Sequence, residues 1–247
     1  MGVRNLGKII SQKLENGDVV VVSAMGKTTS MLESLAYEVL ADSSDAWDQL
    51  ADIREFHFSL IRELFEDQQS GAHVLERITE LFSKIEFDLN HESQKIRKAF
   101  IDRILSYGEI ISTTNAYLQN GLPEEDFIVI THCYIASTAG GNTTTLGKEG
   151  SDFSAAIIAR ACNASDVTFW KDVAGVYNAD PKKETGAHLF SDLSYRQVVE
   201  MTYYGAKIIH PKTMRPLAVA DIPLFVRSFL EPSLPGTKIV NEADDDD

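Results

Sequence analysis

Residues 142–152 read Asn-Thr-Thr-Thr-Leu-Gly-Lys-Glu-Gly-Ser-Asp and run directly into an apolar helical pattern, Ser154 to Cys162. Gly147 and Gly150 let a backbone approach a ligand closely, and a helix starting here offers unpaired first-turn amides to an anion. Lys148 adds a cation, and Asp152 can orient donors or take a metal. A polar loop closed by an aspartate cap is the plainer reading of the same residues. The surrounding strands decide between the two.

Short apolar runs flank the loop on both sides. Phe127 to Thr131 lies before it, and Val167 to Trp170 and Leu224 to Val226 lie after it. Val19 to Ser23, bounded by Gly17-Asp18 and Gly26, is a continuous apolar run that suits a buried parallel strand. Arg4 to Asn16 reads as a helix closed by Gly17, and Tyr195 to Tyr203 as another. From Thr29 to Leu118 the pattern is amphipathic and helical, with Leu75, Ile78, Leu81, Phe82 and Ile85 on one face. No proline precedes Pro123, so the chain breakers gather in the second half. Strands alternating with helices predict an α/β fold, a three-layer α/β/α sandwich with a mostly parallel sheet.

The net charge of −14 narrows the partners. Glu242 and Asp244 to Asp247 supply part of it, but the body stays acidic without them. Such a surface repels nucleic acid and anionic membranes. Cys133 and Cys162 are too few for a disulfide scaffold and point to a reducing compartment. The absence of an apolar leader or of a run of about 18 apolar residues adds to the expectation of a cytoplasmic protein. Three other patterns fail on inspection. Gly26-Lys-Thr-Thr29 imitates the end of a P-loop but has Val21 where a glycine is needed. His91-Glu92 has no second histidine at zinc spacing, and the cysteines have no paired ligands nearby in sequence.

Two further stretches carry chemistry. Trp170-Lys-Asp-Val-Ala-Gly-Val-Tyr-Asn-Ala-Asp-Pro-Lys182 follows the carboxyl end of an expected strand, where ligands sit in open α/β sheets. In Tyr204-Gly-Ala-Lys-Ile-Ile-His-Pro211, Lys207 follows a glycine closely enough to reach a shared pocket, whereas His210 reads as a packed histidine. Together with the first loop these resemble the aspartokinase family of the amino-acid-kinase superfamily. Thr144-Leu-Gly-Lys-Glu-Gly-Ser-Asp152 is similar to that family's Thr-Leu-Gly-Arg-Gly-Gly-Ser-Asp. Lys171-Asp-Val-Ala-Gly-Val-Tyr177 with Asp180-Pro-Lys182, and Gly205-Ala-Lys-Ile-Ile-His-Pro211, resemble two more of its motifs. Val22-Ser-Ala-Met-Gly-Lys-Thr-Thr29 looks like its substrate loop, and Ser106-Tyr-Gly-Glu109 like its substrate helix. The resemblance runs in order from about Gly2 to Ile239.

The resemblance implies an aspartate kinase that uses Mg²⁺ and ATP to phosphorylate the side-chain carboxylate of L-aspartate. That reaction is the first step toward lysine, threonine and methionine. Ser23, Thr29, Glu109, Lys148 and Ser151 would bind aspartate, with Glu109 facing its ammonium and Lys148 its α-carboxylate. Lys171, Asp172, Tyr177, Lys182 and Lys207 would line the ATP site, and Asp152 and Lys207 would be the catalytic pair. It also implies one domain over 1–239, with a substrate-binding half (1–122) and a nucleotide-binding half (123–239), then a disordered acidic tail at 240–247, and it allows a homodimer.

The sequence departs from the pattern in places. Against the family's pattern, the chain is expected to lack the opening Lys-Phe-Gly-Gly-Thr-Ser strand ahead of Gly2 and the regulatory domains after Ile239. Losing one preorganised cation or donor costs about 3–4 kcal/mol at a transition state. Only Pro123 to Asp126 join Leu122 to the next strand, where the family has a longer connection. Thr131-His-Cys-Tyr134 replaces a Gln-Gly-Phe-like stretch, so Cys133 is expected to crowd its loop. An alternative therefore stays open: an impaired, shortened relative that binds nucleotide or pairs with a partner subunit. Acetylglutamate or uridylate kinase is a poorer match, because of Ser106-Tyr-Gly-Glu109 and the long helical segment.

Overall fold

The computed structural model describes residues 2–65, 68–91, 97–120, 128–147, 149–179, 181, 183–203 and 209–242. The chain forms two compact units, one of residues 10–148 and one of residues 1–9 with 149–247. The first helix, α1 (Gly2–Lys13), ends ahead of Asn16-Gly17.

In the unit of 10–148, the run Val19–Val22 forms strand β1 and pairs in parallel with β2 (Val129–His132). Four consecutive β-branched residues favour this extended state because their χ1 is restricted. Among the described residues between the two strands lie four helices: α2 (Thr28–Leu40), α3 (Ala46–Leu64), α4 (Gln68–His91) and α5 (Arg97–Asn120). Their apolar residues recur every three or four positions and meet in one core. Leu32 and Leu35 come from α2, Ile53 and Ile61 from α3, Ile78, Phe82 and Ile85 from α4, and Ile104 and Ile111 from α5. At about 1.5–3 kcal/mol for each large side chain removed from water, this cluster is what makes the helices persist.

A hairpin follows β2, made of β3 (Ile135–Ser137) and β4 (Thr143–Thr145) paired antiparallel. Strands this short are held by what they touch. Asp102 of α5, only 7% exposed, accepts hydrogen bonds from the hydroxyls of Thr144 (2.7 Å) and Thr145 (2.9 Å). Through the β1 pairing and this anchor, residues 128–145 belong with the helical unit.

In the other unit, the segment from 149 onward opens with α6 (Gly150–Cys162), and the unit contains a four-stranded sheet. Its strands are β5 (Val167–Lys171), β6 (Asp192–Ser194), β7 (Leu224–Ser228) and β8 (Thr237–Val240), in the order β5-β7-β8-β6. The β5/β7 and β6/β8 pairs are parallel, and β7/β8 is antiparallel. Helices α7 (Tyr195–Tyr203) and α8 (Pro211–Val219) complete it, and Phe169, Val198, Met214, Leu217, Leu224, Val226 and Ile239 form its core. Pro211 opens α8 at a position where a missing N–H costs nothing. His210 is exposed rather than packed, and its Nδ1 accepts from the Lys212 N–H to cap the helix.

The α/β class and the parallel pairing match the expectation. Of the acidic tail expected from 240, Val240 closes β8 and the Asn241 amide donates to Ala218 O and Asp221 Oδ1. Residues 243–247 and the connection at 123–126 lie outside the described residues. No helix among the described residues is long and apolar enough to cross a membrane.

The Asp102 anchor gives a stability test. Asp102→Ala should lower unfolding free energy by about 2 kcal/mol in urea titration, because two half-buried hydroxyls lose a charged acceptor. Asp102→Asn keeps an acceptor and should lose less.

Candidate functional site

Around the end of β1, three elements converge within the unit of 10–148. The chain leaves the strand at Ser23, which is exposed, and turns through Ala24 and Met25 into α2. Two hydroxyls pin that turn. Ser112 Oγ of α5 accepts the Met25 N–H at 2.8 Å, and the Thr28 hydroxyl donates to Met25 O at 2.7 Å. Gly108 lets α5 come in close. A Cβ there would lie 3.3 Å from both Ala24 Cβ and Leu32 Cδ1, tighter than ordinary packing. This approach brings the next residue, Glu109, to the strand end, and Thr29 sits half-buried in the first turn of α2.

Glu109 is 2% exposed. Its Oε2 lies 3.3 Å from Cys133 Sγ, and the Ala24 backbone donates a further hydrogen bond. Burial pushes its carboxyl up to about 7, and the two hydrogen bonds only partly oppose that. Cys133 was expected to crowd its loop. It is instead buried, with its thiol between this carboxylate and Val22 O.

His57 was not anticipated. It is fully buried, and its Nε2 lies 3.1 Å from Thr28 Oγ1. Because the Thr28 hydroxyl already donates to Met25 O, the ring must donate here, which assigns the proton to Nε2. Burial lowers the ring to about 4, so it supports the turn as a neutral donor. Its position four residues from both Ile53 and Ile61, on the apolar stripe of α3, was the available signal.

The second group of residues lies within the other unit. Ser151 and Asp152 occupy the first turn of α6, and Lys171 ends β5. Asp152 Oδ2 and Lys171 Nζ form an ion pair at 2.6 Å, each side chain still partly open to solvent. Asp152 is thus not the helix cap. That place falls to Glu149, which takes a left-handed φ of 62°. Beyond Lys171 the chain passes exposed Asp172 and reaches half-buried Tyr177, which bridges to Leu189. Thr237 fastens this loop, accepting from Val176 N–H at 2.9 Å and donating to Phe190 O at 2.6 Å. Gly175 must be glycine here, since a Cβ would fall 2.5 Å from Thr237 Oγ1.

The structure therefore groups Ser23, Thr29 and Glu109 at the end of β1, and Ser151, Asp152 and Lys171 between α6 and β5, with Asp172 and Tyr177 further along the β5 loop. Lys148, Lys182 and Lys207 lie outside the described residues. Among the described residues no group of three acidic, histidine or cysteine side chains is arranged to hold a metal ion alone. A Mg²⁺ ion carried on nucleotide phosphates needs only one or two protein carboxylates, so Asp152 and Asp172 are donors of the right chemistry.

Residues 2–228, which include the strand-end turn, the buried acid on α5 and the glycine loop opening onto a paired Asp and Lys, match one family profile, the amino acid kinase family. The chain belongs to the amino acid kinase family. It is 30% identical over 266 residues to the bifunctional aspartokinase/homoserine dehydrogenase 2, chloroplastic, of Zea mays, covering 91% of this chain and 29% of that protein. It is 28% identical to lysine-sensitive aspartokinase 3 of Escherichia coli K12, covering 93% of this chain and 59% of that one. The crystal structure of E. coli aspartokinase III in complex with aspartate and ADP superposes with a TM-score of 0.85 at 26% identity. That match covers 98% of this chain and 62% of that one. This amino acid kinase domain is thus homologous to aspartokinases over about nine tenths of its length and has their layered α/β fold, while spanning only part of each relative.

Two outcomes follow. A left-handed non-glycine residue costs roughly 1–2 kcal/mol, so Glu149→Gly should raise the melting temperature by about 2–4 °C. Glu109 makes stability depend on pH. Its folded-state value, about 7, lies above its ordinary 4.5, so the folded protein holds the extra proton between them. Stability therefore falls as pH rises through that window. Glu109→Gln should remove this slope, gaining roughly 3 kcal/mol on the parent above pH 7 and little near pH 4, as measured by urea midpoints across pH.

Proposed function

We propose that this amino acid kinase domain transfers the γ-phosphoryl group of Mg·ATP to the side-chain carboxylate of L-aspartate. A carboxylate oxygen attacks the γ-phosphorus, the bond to the bridging β,γ-oxygen breaks, and ADP leaves with that electron pair. The product is an acyl phosphate, the entry to lysine, threonine and methionine synthesis. The aspartokinase relatives, one of them solved with aspartate and ADP, support both substrates.

The observation that carries the reading is Glu109, a carboxylate buried at the open end of a parallel strand, with no cation among the described residues acting on it. An uncompensated buried acid is costly, and a substrate ammonium offsets that cost on binding. Exposed Ser23 and half-buried Thr29 sit where hydroxyls would take the rest of the amino acid. In the other unit, the first-turn amides of α6 and the Lys171 ammonium suit a polyphosphate. Asp152 holds that ammonium in place, and Tyr177 and Asp172 lie further along the same loop. We assign Lys148 to the α-carboxylate, Lys182 to the nucleotide and Lys207 to the phosphates, each by its position in the motif. Mg²⁺, bound with the nucleotide, would neutralise phosphate charge. Phosphoryl transfer needs little from the protein beyond such neutralisation and alignment.

Trapping of the acyl phosphate with hydroxylamine tests the assignment. Hydroxamate should form only with both L-aspartate and Mg·ATP. Asp152→Ala should cut kcat by about 100-fold or more, and Glu109→Gln should act mainly on KM for aspartate. Folded protein that yields no aspartate-dependent hydroxamate would remove aspartate from consideration.

A further inference from the structure

One buried contact is unused by the chemistry above. The Cys133 thiol lies 3.3 Å from Val22 O and 3.3 Å from Glu109 Oε2. Both are acceptors, and the thiol has a single proton, so it can serve only one of them at a time. Cys133 and Glu109 are each 2% exposed, so water does not readily take the place of the thiol. A thiol is a weak donor, which makes the choice between a carbonyl and a carboxylate responsive to the charge on the carboxylate.

We propose that Cys133 is a positioning residue for Glu109: its proton turns to the carboxylate while the site is empty, and to the Val22 carbonyl once a substrate ammonium takes the carboxylate. This rests on the reading of Glu109 as the ammonium acceptor. The thiol favours the ionised carboxylate, the only form an ammonium can pair with. It also orients Oε2 without a fixed cation that would compete with substrate.

Few other groups bear on this carboxylate. Burial raises it, Cys133 and the Ala24 amide lower it, and no described cation contributes. Tyr134, next to Cys133, feels Glu109 together with Asp102 of α5 and Glu33 of α2, while Arg103 of α5 pairs with Asp88 of α4. His132 on β2 is exposed, and His57 of α3 is committed to Thr28. With Glu109 itself near 7, a small change in the donor moves the ionised fraction across neutral pH.

The test is a ¹³C NMR titration of glutamate side-chain carboxyls in the ligand-free protein, with Glu109 identified by its loss in Glu109→Gln. Cys133→Ala should raise the Glu109 midpoint by roughly one unit, and Cys133→Ser, which restores a donor, should return it to or below the parent value. Calorimetry with L-aspartate should show the parent and Cys133→Ala binding alike well below the midpoint, and the parent binding about tenfold more weakly two units above it, where the thiol–carboxylate bond is given up on binding. An unmoved midpoint in both variants overturns the proposal, even if aspartate binds normally. Midpoints that move as expected in a protein that binds no aspartate uphold the thiol's hold on Glu109 and strike the aspartate reading instead. The serine variant guards against misreading a loosened alanine protein, since a general packing defect would not reverse the shift.

Discussion

Helix α5 is buried over most of its surface through its middle turns, and the helical unit is built around that constraint. Ile104 and Ile111 enter the apolar core, while Asp102, Ser106, Glu109 and Ser112, spaced as one helical stripe, are buried as polar groups. Each of the four has a partner. Asp102 takes two threonine hydroxyls, Ser106 donates to Arg103 O, Glu109 meets a thiol and an amide, and Ser112 receives the Met25 N–H. A buried polar group left alone would cost about 1–3 kcal/mol. Satisfying all four therefore fixes the β1 turn and the β3/β4 hairpin relative to one helix. The same stripe that orders the fold places the candidate substrate residues.

The apolar elements were legible because their patterns are local. Val19 to Val22 announced a strand, and the spacing of Ile78, Phe82 and Ile85 announced a helix face. The α6 start was marked by Gly147 to Asp152. What stayed hidden depends on distant partners or on punctuation. Thr143 to Thr145 carries no apolar alternation, and only Ile135 to Ser137 opposite and Asp102 beneath make it a strand. Helix α8 contains both Pro211 and Pro216, which read as breakers, although Pro211 is well placed at a helix start. Strands β6 and β8 are three and four residues long and exist by pairing, β6 with β8 and β8 with both β6 and β7.

The candidate site divides in the same way. Residue types at motif spacing pointed to Glu109, Asp152 and Lys171, but not to what each one touches. That Asp152 meets Lys171 depends on α6 lying against β5, a relation across 19 residues. Cys133 looked obstructive where a glycine was expected. Its environment gives it a partner, because the added side chain fills space next to a carboxylate that needs a donor. His57 escaped notice because a histidine inside an apolar stripe looks like packing, and its hydrogen bond to Thr28 spans 29 residues.

The position of β8 has a consequence for how the protein is made. That strand lies inside its sheet, between β7 and β6, and joins the parallel pairs on either side. During synthesis, residues 10–148 leave the ribosome with every strand they pair already present, so this unit can close while the rest is still being translated. The second sheet cannot. Until residues 237–240 emerge, β6 has no strand to pair with and Gly175 lacks the threonine that fastens its loop. The candidate nucleotide-facing loop therefore takes shape last, and nascent chains should pass through a stage with one finished unit and one open sheet.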